Sequence, residues 1–446
     1  MNERSRYIEI ENQLEQISSP GIHPGLERIL RLFECLGHPE KSFPAIHIVG
    51  TNGKGSTSAY IESILRESGM RTAMYTSPHL VHMGERLLIN GHALSCEKWE
   101  EAAQKVISTV KENAQLALDP PTYFEIFTAT AFLLIASFDV DIAVIEAGMG
   151  GRLDATNTLG NVLLTIITPI SKDHMEYLGD TLEAIAMEKF AVIRKGVPAL
   201  FAGGSHTLCS LFKTECLKKE TQGVIVPETY TVSTKNVSLQ GATFTLTHNN
   251  GNVYADIHTP LIGTHQIANS AVALASMDIL RNKMDKITEQ SIRRGLAKTC
   301  WPGRMELIKH TPPIILDGAH NDDGITKLVE SLKTLGINND KEKLAIVYAS
   351  MKDKEHDIAL KKLSGLKPHL FCTEVPEMER SAKAEFLRKE ALQYTWASTP
   401  KGISDPREAI YNACQDSSIV VCCGSLYLIG YIKSFILQEA TFCNEL

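Results

Sequence analysis

The chain is 446 residues long, 43% hydrophobic and 22% charged, with a formal net charge of -7. That length holds two or three domains with a sizeable core, and the negative balance argues against nucleic acid or an anionic membrane as partner. No apolar run approaches the ~18–20 residues of a membrane span, and the start MNERSRYIEIENQ is too polar for a signal peptide. Ten scattered cysteines without a C-x-x-C suit reduced, buried thiols in a cytoplasm rather than disulfides or a zinc site.

In chain order, residues 1–44 read as short helices leading to the apolar strand Ala45–Val49. The turn Gly50-Thr51-Asn52-Gly53-Lys54-Gly55-Ser56-Thr57 follows. A helix then runs to Glu67, with Ile61, Ile64 and Leu65 on one face and Gly69 closing it. Thr72–Thr76 reads as a parallel strand, completing a right-handed βαβ start. Residues 97–115 carry an amphipathic helical pattern and Tyr123–Ser137 a buried one. Three apolar strands come next, Asp141–Glu146, Val162–Thr168 and Val197–Ala202. Between the last two lies a helix Thr181–Arg194, with Asp180 and Glu183 in capping-box spacing.

Residues 242–247 and 253–258 alternate apolar and polar around Asn249-Asn250-Gly251, which signals a hairpin, and a helix from Gln266 to Arg281 follows. Thr299-Cys300-Trp301-Pro302-Gly303 breaks the pattern and divides the chain into 1–300 and 301–446. Beyond it, strands at 314–316, 344–349, 369–373 and 419–423 alternate with helices at 323–335 and 382–393 and a last one to about 437. The pattern predicts two α/β domains, the second smaller and without a phosphate loop of its own.

A strand, a glycine-rich turn and a helix in that order make a phosphate cradle. Glycines let backbone N–H groups close around phosphate oxygens, and the helix points its positive end at them. Lys54 would reach the β- and γ-phosphates and Ser56 would offer its hydroxyl to Mg²⁺, although one more glycine separates them than in G-x-x-x-x-G-K-[ST]. The implication is a protein that uses ATP. The strand Ile142–Ile145 delivers Glu146 to the carboxyl end of the sheet, where it is either a metal-holding carboxylate or an ordinary surface one. Asp173-His174 after the next strand is a second metal ligand or a plain loop, with Lys172 beside it. Spacing alone makes Lys189 a solvated mid-helix lysine. In the second domain, Ile314–Leu316 ends in Asp317-Gly318-Ala319-His320-Asn321, and Arg304 offers a positive charge for the γ-phosphate.

Two patterns imitate sites. Asn282-Lys283-Met284-Asp285 spells a guanine-reading N-K-x-D but ends a helix rather than a strand, which favours a solvated helix terminus. His79 and His82 with Glu85 have metal-ligand spacing but no further ligand cluster.

His47-Ile48-Val49-Gly50-Thr51-Asn52-Gly53-Lys54-Gly55-Ser56 resembles the phosphate loop of folylpolyglutamate synthases and the related dihydrofolate synthases, amide-forming enzymes of the Mur-ligase type. The likeness spans almost the whole chain. It includes Ser77-Pro78-His79-Leu80, Gly150–Asn157, Asp173-His174, Gly263-Thr264-His265-Gln266 with Asn269, and Gly303-Arg304-Met305-Glu306. Asp317–Asn321, Lys352-Asp353-Lys354 and Gly424-Ser425-Leu426-Tyr427 continue it in the family's order.

The resemblance implies an α/β fold, a P-loop Mur-ligase-like ATPase domain followed by a smaller Rossmann-like domain of the glutamate-ligase type. It implies that residues 50–57 bind ATP, that Ser56, Glu146 and His174 hold one or two Mg²⁺ ions, and that Lys54 is the phosphate lysine. Lys189 matches a lysine carried as a carbamate, and Asn269 an adenine contact. Arg304, Asp317 and His320 would reach ATP from the second domain, so that catalysis needs closure. Ser77, Pro78 and His79, with Arg152 and Asp154 in the 148–157 loop, would hold the pterin-bearing substrate. The implied partners are dihydropteroate or a folate, L-glutamate and ATP, acting on a monomer.

Three positions depart from the family pattern: Phe190-Ala191 where Ala-Gly is usual, Asp322 in place of a proline, and Lys172 in place of a neutral residue. The Gly150–Asn157 form favours the bifunctional bacterial proteins over a folylpolyglutamate synthase or dihydrofolate synthase alone. Peptidoglycan-precursor Mur ligases carry a separate domain before the phosphate loop, and only about 45 residues precede its strand here. The remaining alternative is an ATP-gated binding module, whose turnover would not depend on an added acid and amino acid.

Overall fold

The computed structural model describes residues 3–338, 343–415 and 417–438. The chain forms two compact units. The first comprises Met1–Ser233, Thr245–Ile257 and Ala268–Thr299; the second comprises Thr234–Phe244, His258–Ile267 and Cys300–Leu446.

The first unit is built on an eight-stranded sheet, in the order His92–Ala93, Leu87–Ile89, Thr72–Tyr75, Ile142–Glu146, Ala45–Val49, Val162–Ile167, Ala199–Phe201, Gly223–Ile225. From Thr72–Tyr75 onward the strands run parallel, and the first two form an antiparallel edge. Ala45–Val49 and Ile142–Glu146 are buried at every position, which is why, His47 and Glu146 apart, they read as continuous apolar runs instead of alternating ones. Helices cover both faces. On one, Phe33, Phe43, Trp99, Phe127 and Phe132 pack in a single core; on the other, Phe190, Phe201 and Phe212 stack edge to face.

Local capping explains where helices depart from the pattern. The helical stretch at 97–115 is two helices, Cys96–Glu112 and Ala114–Leu118, because the Asn113 side chain accepts from the N–H groups of Gln115 and Leu116 and starts a new one. The helix expected at 181–194 is Leu182–Phe190, and its cap is Thr181, accepting from Ala184 N–H, in place of the Asp180–Glu183 box. Asn282–Asp285 follows the helix Thr264–Leu280 as a turn, as the helical context suggested.

The hairpin at Asn249–Gly251 forms, joining Gly241–His248 to Val253–Thr259 in a three-stranded sheet with Tyr230–Ser238. The second unit holds a six-stranded sheet ordered Glu306–His310, Pro313–Leu316, Ile419–Cys423, Leu344–Tyr348, His369–Cys372, Lys401–Gly402. It is parallel apart from its antiparallel first strand. Among the described residues no helix is long and apolar enough to cross a membrane.

Candidate active site

The strand Ala45–Val49 ends at Gly50, whose φ of 152° and tight approach to Thr168 leave no room for a side chain. Gly53, at φ 84°, caps the helix Lys54–Glu67 and lies under the Asn269 side chain. Thr51 pins the loop between them: its N–H donates to Pro169 O (2.9 Å) and its hydroxyl to Ser171 O (3.0 Å). The first N–H groups of the helix are thereby left facing a rigid cradle. Gly55 and Ser56 lie in the first turn, and Ser56 is buried. Thr57 is fully buried, and its hydroxyl has no partner among the described residues.

Two lysines and a carboxylate converge here. Lys54 Nζ curls back to donate to Gly50 O (3.3 Å) and Thr51 O (3.1 Å), and lies 3.9 Å from Glu146 Oε1. Lys189 is not the solvated lysine its spacing suggested. It is 2% exposed, because its helix turns that face onto the phosphate loop, and its Nζ donates to Gly50 O at 2.8 Å. Burial first and the Lys54 charge second push its pKa down to about 7, against the pull of Asp173, Asp154 and Glu188. Among the described residues no group of three or more His, Cys, Asp or Glu side chains is placed to hold a metal. The Ser56 hydroxyl and Glu146 carboxylate are hard oxygen donors that fit Mg²⁺ completed by substrate phosphates. His174 sits at φ 51°, half exposed, with Nε2 3.9 Å from Asp173 Oδ2.

A cavity of about 470 Å³ opens in the same unit, lined by Gly21–Gly25, Ser77, Pro78, Arg86, Thr122–Glu125, Gly148–Ala155, His174, Tyr177, Leu178 and Glu188. The Phe124 ring lies over Gly148 too closely for any Cβ there. The Arg86 guanidinium sits 4.7 Å from the Phe127 ring centroid and 5.7 Å from that of Tyr123. His79 lies outside the lining and accepts from Arg86 Nε through Nδ1 at 3.0 Å. Burial, then the charge of Arg86, pushes His79 down to about 3. Arg152 pairs with Glu188, Nη2 to Oε1 at 3.0 Å. Glu85, of the metal-like spacing, instead accepts from the N–H groups of Leu80, Val81 and His82 and so holds a turn.

In the second unit, Asp317 accepts from Met305 N–H and Ala319 N–H, both at 2.9 Å. Burial raises its pKa and Arg304 opposes the rise. Gly318 fits between the Arg304 guanidinium and Leu426, where a side chain would not. His320 Nδ1 donates to Gly318 O (2.9 Å), and Asn321 caps the helix Asp322–Thr334. The Asp322 that stands in place of a proline thus begins that helix.

The family models that match are the Mur ligase middle domain over residues 95–277 and the Mur ligase glutamate ligase domain over 303–426. The dihydrofolate synthase/folylpolyglutamate synthase of Bacillus subtilis is 35% identical, over 93% of this chain and 95% of that protein. The folylpolyglutamate synthase structure of Thermotoga maritima superposes with a TM-score of 0.86 at 32% identity, covering 98% of both chains. The structure of Escherichia coli FolC in complex with DHPP and ADP gives a TM-score of 0.85 at 26% identity, over 97% of this chain and 98% of that one.

The chain belongs to the folylpolyglutamate synthase/dihydrofolate synthase family of Mur ligases. As a member of this family it is an ATP-dependent, amide-forming glutamate ligase. Several residues of this ligase's candidate site escaped the sequence reading. Phe124 had a signal, since Thr122 and Glu125 form a capping box that fixes the helix start beside the cavity. Arg86, His47 and the Gly21–Gly25 segment had none; the rings under Arg86 lie at 123 and 127 and the acceptor of His47 at 156.

Proposed function

We propose that the protein is a bifunctional dihydrofolate synthase and folylpolyglutamate synthase, joining L-glutamate to dihydropteroate and to folates through an acyl phosphate. One observation carries the reading: the neighbouring residues Glu188 and Lys189 face, respectively, the aromatic cavity and the phosphate loop. An acid held in the cavity by Phe124, Ser77, Pro78 and the Arg152-bearing loop therefore has the phosphate cradle at hand. Residues 1–300 supply ATP and pterin binding, and residues 301–446 the glutamate-ligase part.

A carboxylate is a poor electrophile. Its oxygen attacks the γ-phosphorus of ATP, the bond to the bridging oxygen breaks, and ADP leaves. Lys54 and the loop N–H groups neutralise charge that builds on the phosphate oxygens. The glutamate amine then attacks the acyl carbon, phosphate departs with its oxygen, and the nitrogen loses a proton. Ser56, Glu146 and His174 would hold Mg²⁺, which when bound adds positive charge at the transferring phosphate. The depressed pKa of Lys189 supplies a neutral amine able to take up CO₂ as a carbamate with release of one proton. Asn269 is assigned the adenine contact, and Arg304, Asp317 and His320 the contacts to ATP from the second domain. The unit works as a monomer.

The test is phosphate release with ATP, Mg²⁺ and L-glutamate, comparing dihydropteroate with a reduced folate. Release with both is expected, and Phe124→Ala should weaken both acceptors. Release with one alone would make the enzyme monofunctional. ATP hydrolysis independent of either acid would replace the ligase with an ATP-gated module.

A further inference from the structure

His47 is the middle residue of the strand that ends in the phosphate loop, fully buried, and none of its ring nitrogens serves that loop. Its Nε2 lies 2.8 Å from Thr156 Oγ1, and Thr156 Oγ1 donates to Asp154 Oδ1 at 2.6 Å. On its other side, Arg194 Nη1 is 3.4 Å from His47 Nδ1, and Arg194 Nη2 donates to Asn157 O (3.1 Å) and Oδ1 (3.2 Å).

The donor and acceptor roles follow in sequence. A guanidinium only donates, so His47 Nδ1 accepts and the ring proton sits on Nε2. Nε2–H then donates to Thr156, and the single hydroxyl proton of Thr156 goes to the carboxylate. Burial, then the charge of Arg194, holds the imidazole pKa well below its ordinary value, so the ring is neutral. Asp154 is filled in turn: Oδ1 also accepts from Thr156 N–H (3.0 Å), and Oδ2 accepts from Met149 N–H (2.8 Å). Its carboxylate is committed to the loop that lines the cavity. An apolar residue would fill this buried strand position without any such chain, whereas the imidazole, which must be hydrogen-bonded when buried, ties the strand to Thr156 and Asp154.

We infer that His47 is a positioning residue which, through Thr156 and Asp154, fixes the Met149–Ala155 wall of the cavity and so sets affinity for the pterin-bearing acid but not for ATP. The inference rests on the assignment of the cavity to that acid. Asp154 then acts on substrate through the loop it ties down.

The test compares Thr156→Val, which keeps shape and loses the hydroxyl, with Thr156→Ser, which keeps the hydroxyl. KM for dihydropteroate is read at saturating ATP, KM for ATP at saturating dihydropteroate, and the rise in melting temperature with ADP reports an intact phosphate loop. Thr156→Val should raise the dihydropteroate KM about tenfold, as loss of one buried hydrogen bond does, with the ATP KM and the ADP effect unchanged. Thr156→Ser should stay near the parent. If either Thr156 variant does not fold, His47→Gln, which keeps an N–H donor, against His47→Phe gives the same contrast. Equal KM values for Val and Ser, or equal losses toward both substrates, would overturn the role of His47. A Phe124→Ala enzyme with unaltered dihydropteroate KM would instead overturn the assignment of the cavity.

Discussion

Two lysine amino groups share one carbonyl: Lys54 and Lys189 both donate to Gly50 O. Burial first, and the like charge of Lys54 at that range second, lower the pKa of Lys189. Lys54→Met should therefore do two things. It should cut kcat by about 10²–10³, the usual loss when a group stabilising transition-state charge is removed. It should also let Lys189 titrate higher than in the parent, measured by NMR of the labelled lysine; an unchanged Lys189 titration would contradict the coupling. Lys54 was legible in the sequence because the motif that carries it is local, a glycine turn and the helix after it. Spacing alone made Lys189 a solvated lysine, since its partner is 139 residues away, and only the family resemblance singled it out. His47 was hidden because its acceptor is 109 residues distant.

The helix that carries Lys54 is seated by another helix. Glu289–Lys298 presses Gly295 onto the backbone of Ile64, where a Cβ would overlap, and Ser63 Oγ donates to Gly295 O at 2.8 Å. Lys298 and Glu67 close the far end at 2.8 Å. Gly295→Ala should push the two apart and destabilise the protein by about 1–3 kcal/mol, read from urea unfolding. A stability equal to the parent would show that the contact relaxes freely. Sequence reasoning passed over this helix because a mid-helix glycine weakens the helical signal by about 1 kcal/mol, and the close packing that the glycine permits is a tertiary fact. Strands Ala45–Val49 and Ile142–Glu146 were legible because burial on both faces writes itself as an apolar run. The helix limits at 182–190 were less so, since Asp180 and Thr181 both make plausible caps and only the fold chooses.

For the molecule as a whole, buried neutral imidazoles set the response to acid. His47 lies well below its ordinary pKa, with burial as the main cause; His79 is held at about 3 and His265 at about 4, burial leading in each. Below the unfolded value of about 6.5 the unfolded chain binds protons that the folded one refuses, so stability falls as pH drops from there toward the folded values. His47 alone contributes a slope approaching about 1.4 kcal/mol per pH unit in that range. Urea midpoints between pH 7 and 5 should fall steeply in the parent and less in His47→Gln; parallel curves would show that His47 is not responsible. The two units also interleave along the chain, with passages at 233/234, 244/245, 257/258, 267/268 and 299/300. Growth from a ribosome gives this an order in time. The helix Lys54–Glu67 leaves the tunnel early, yet the helix that seats it begins only at Glu289, so residues 68–288 must be made first. By then the first strand segments of the second unit have already emerged, ahead of the sheet that starts at Glu306. The newborn chain therefore carries the helix of its nucleotide motif without the Glu289–Lys298 helix that seats it until nearly three hundred residues have been made.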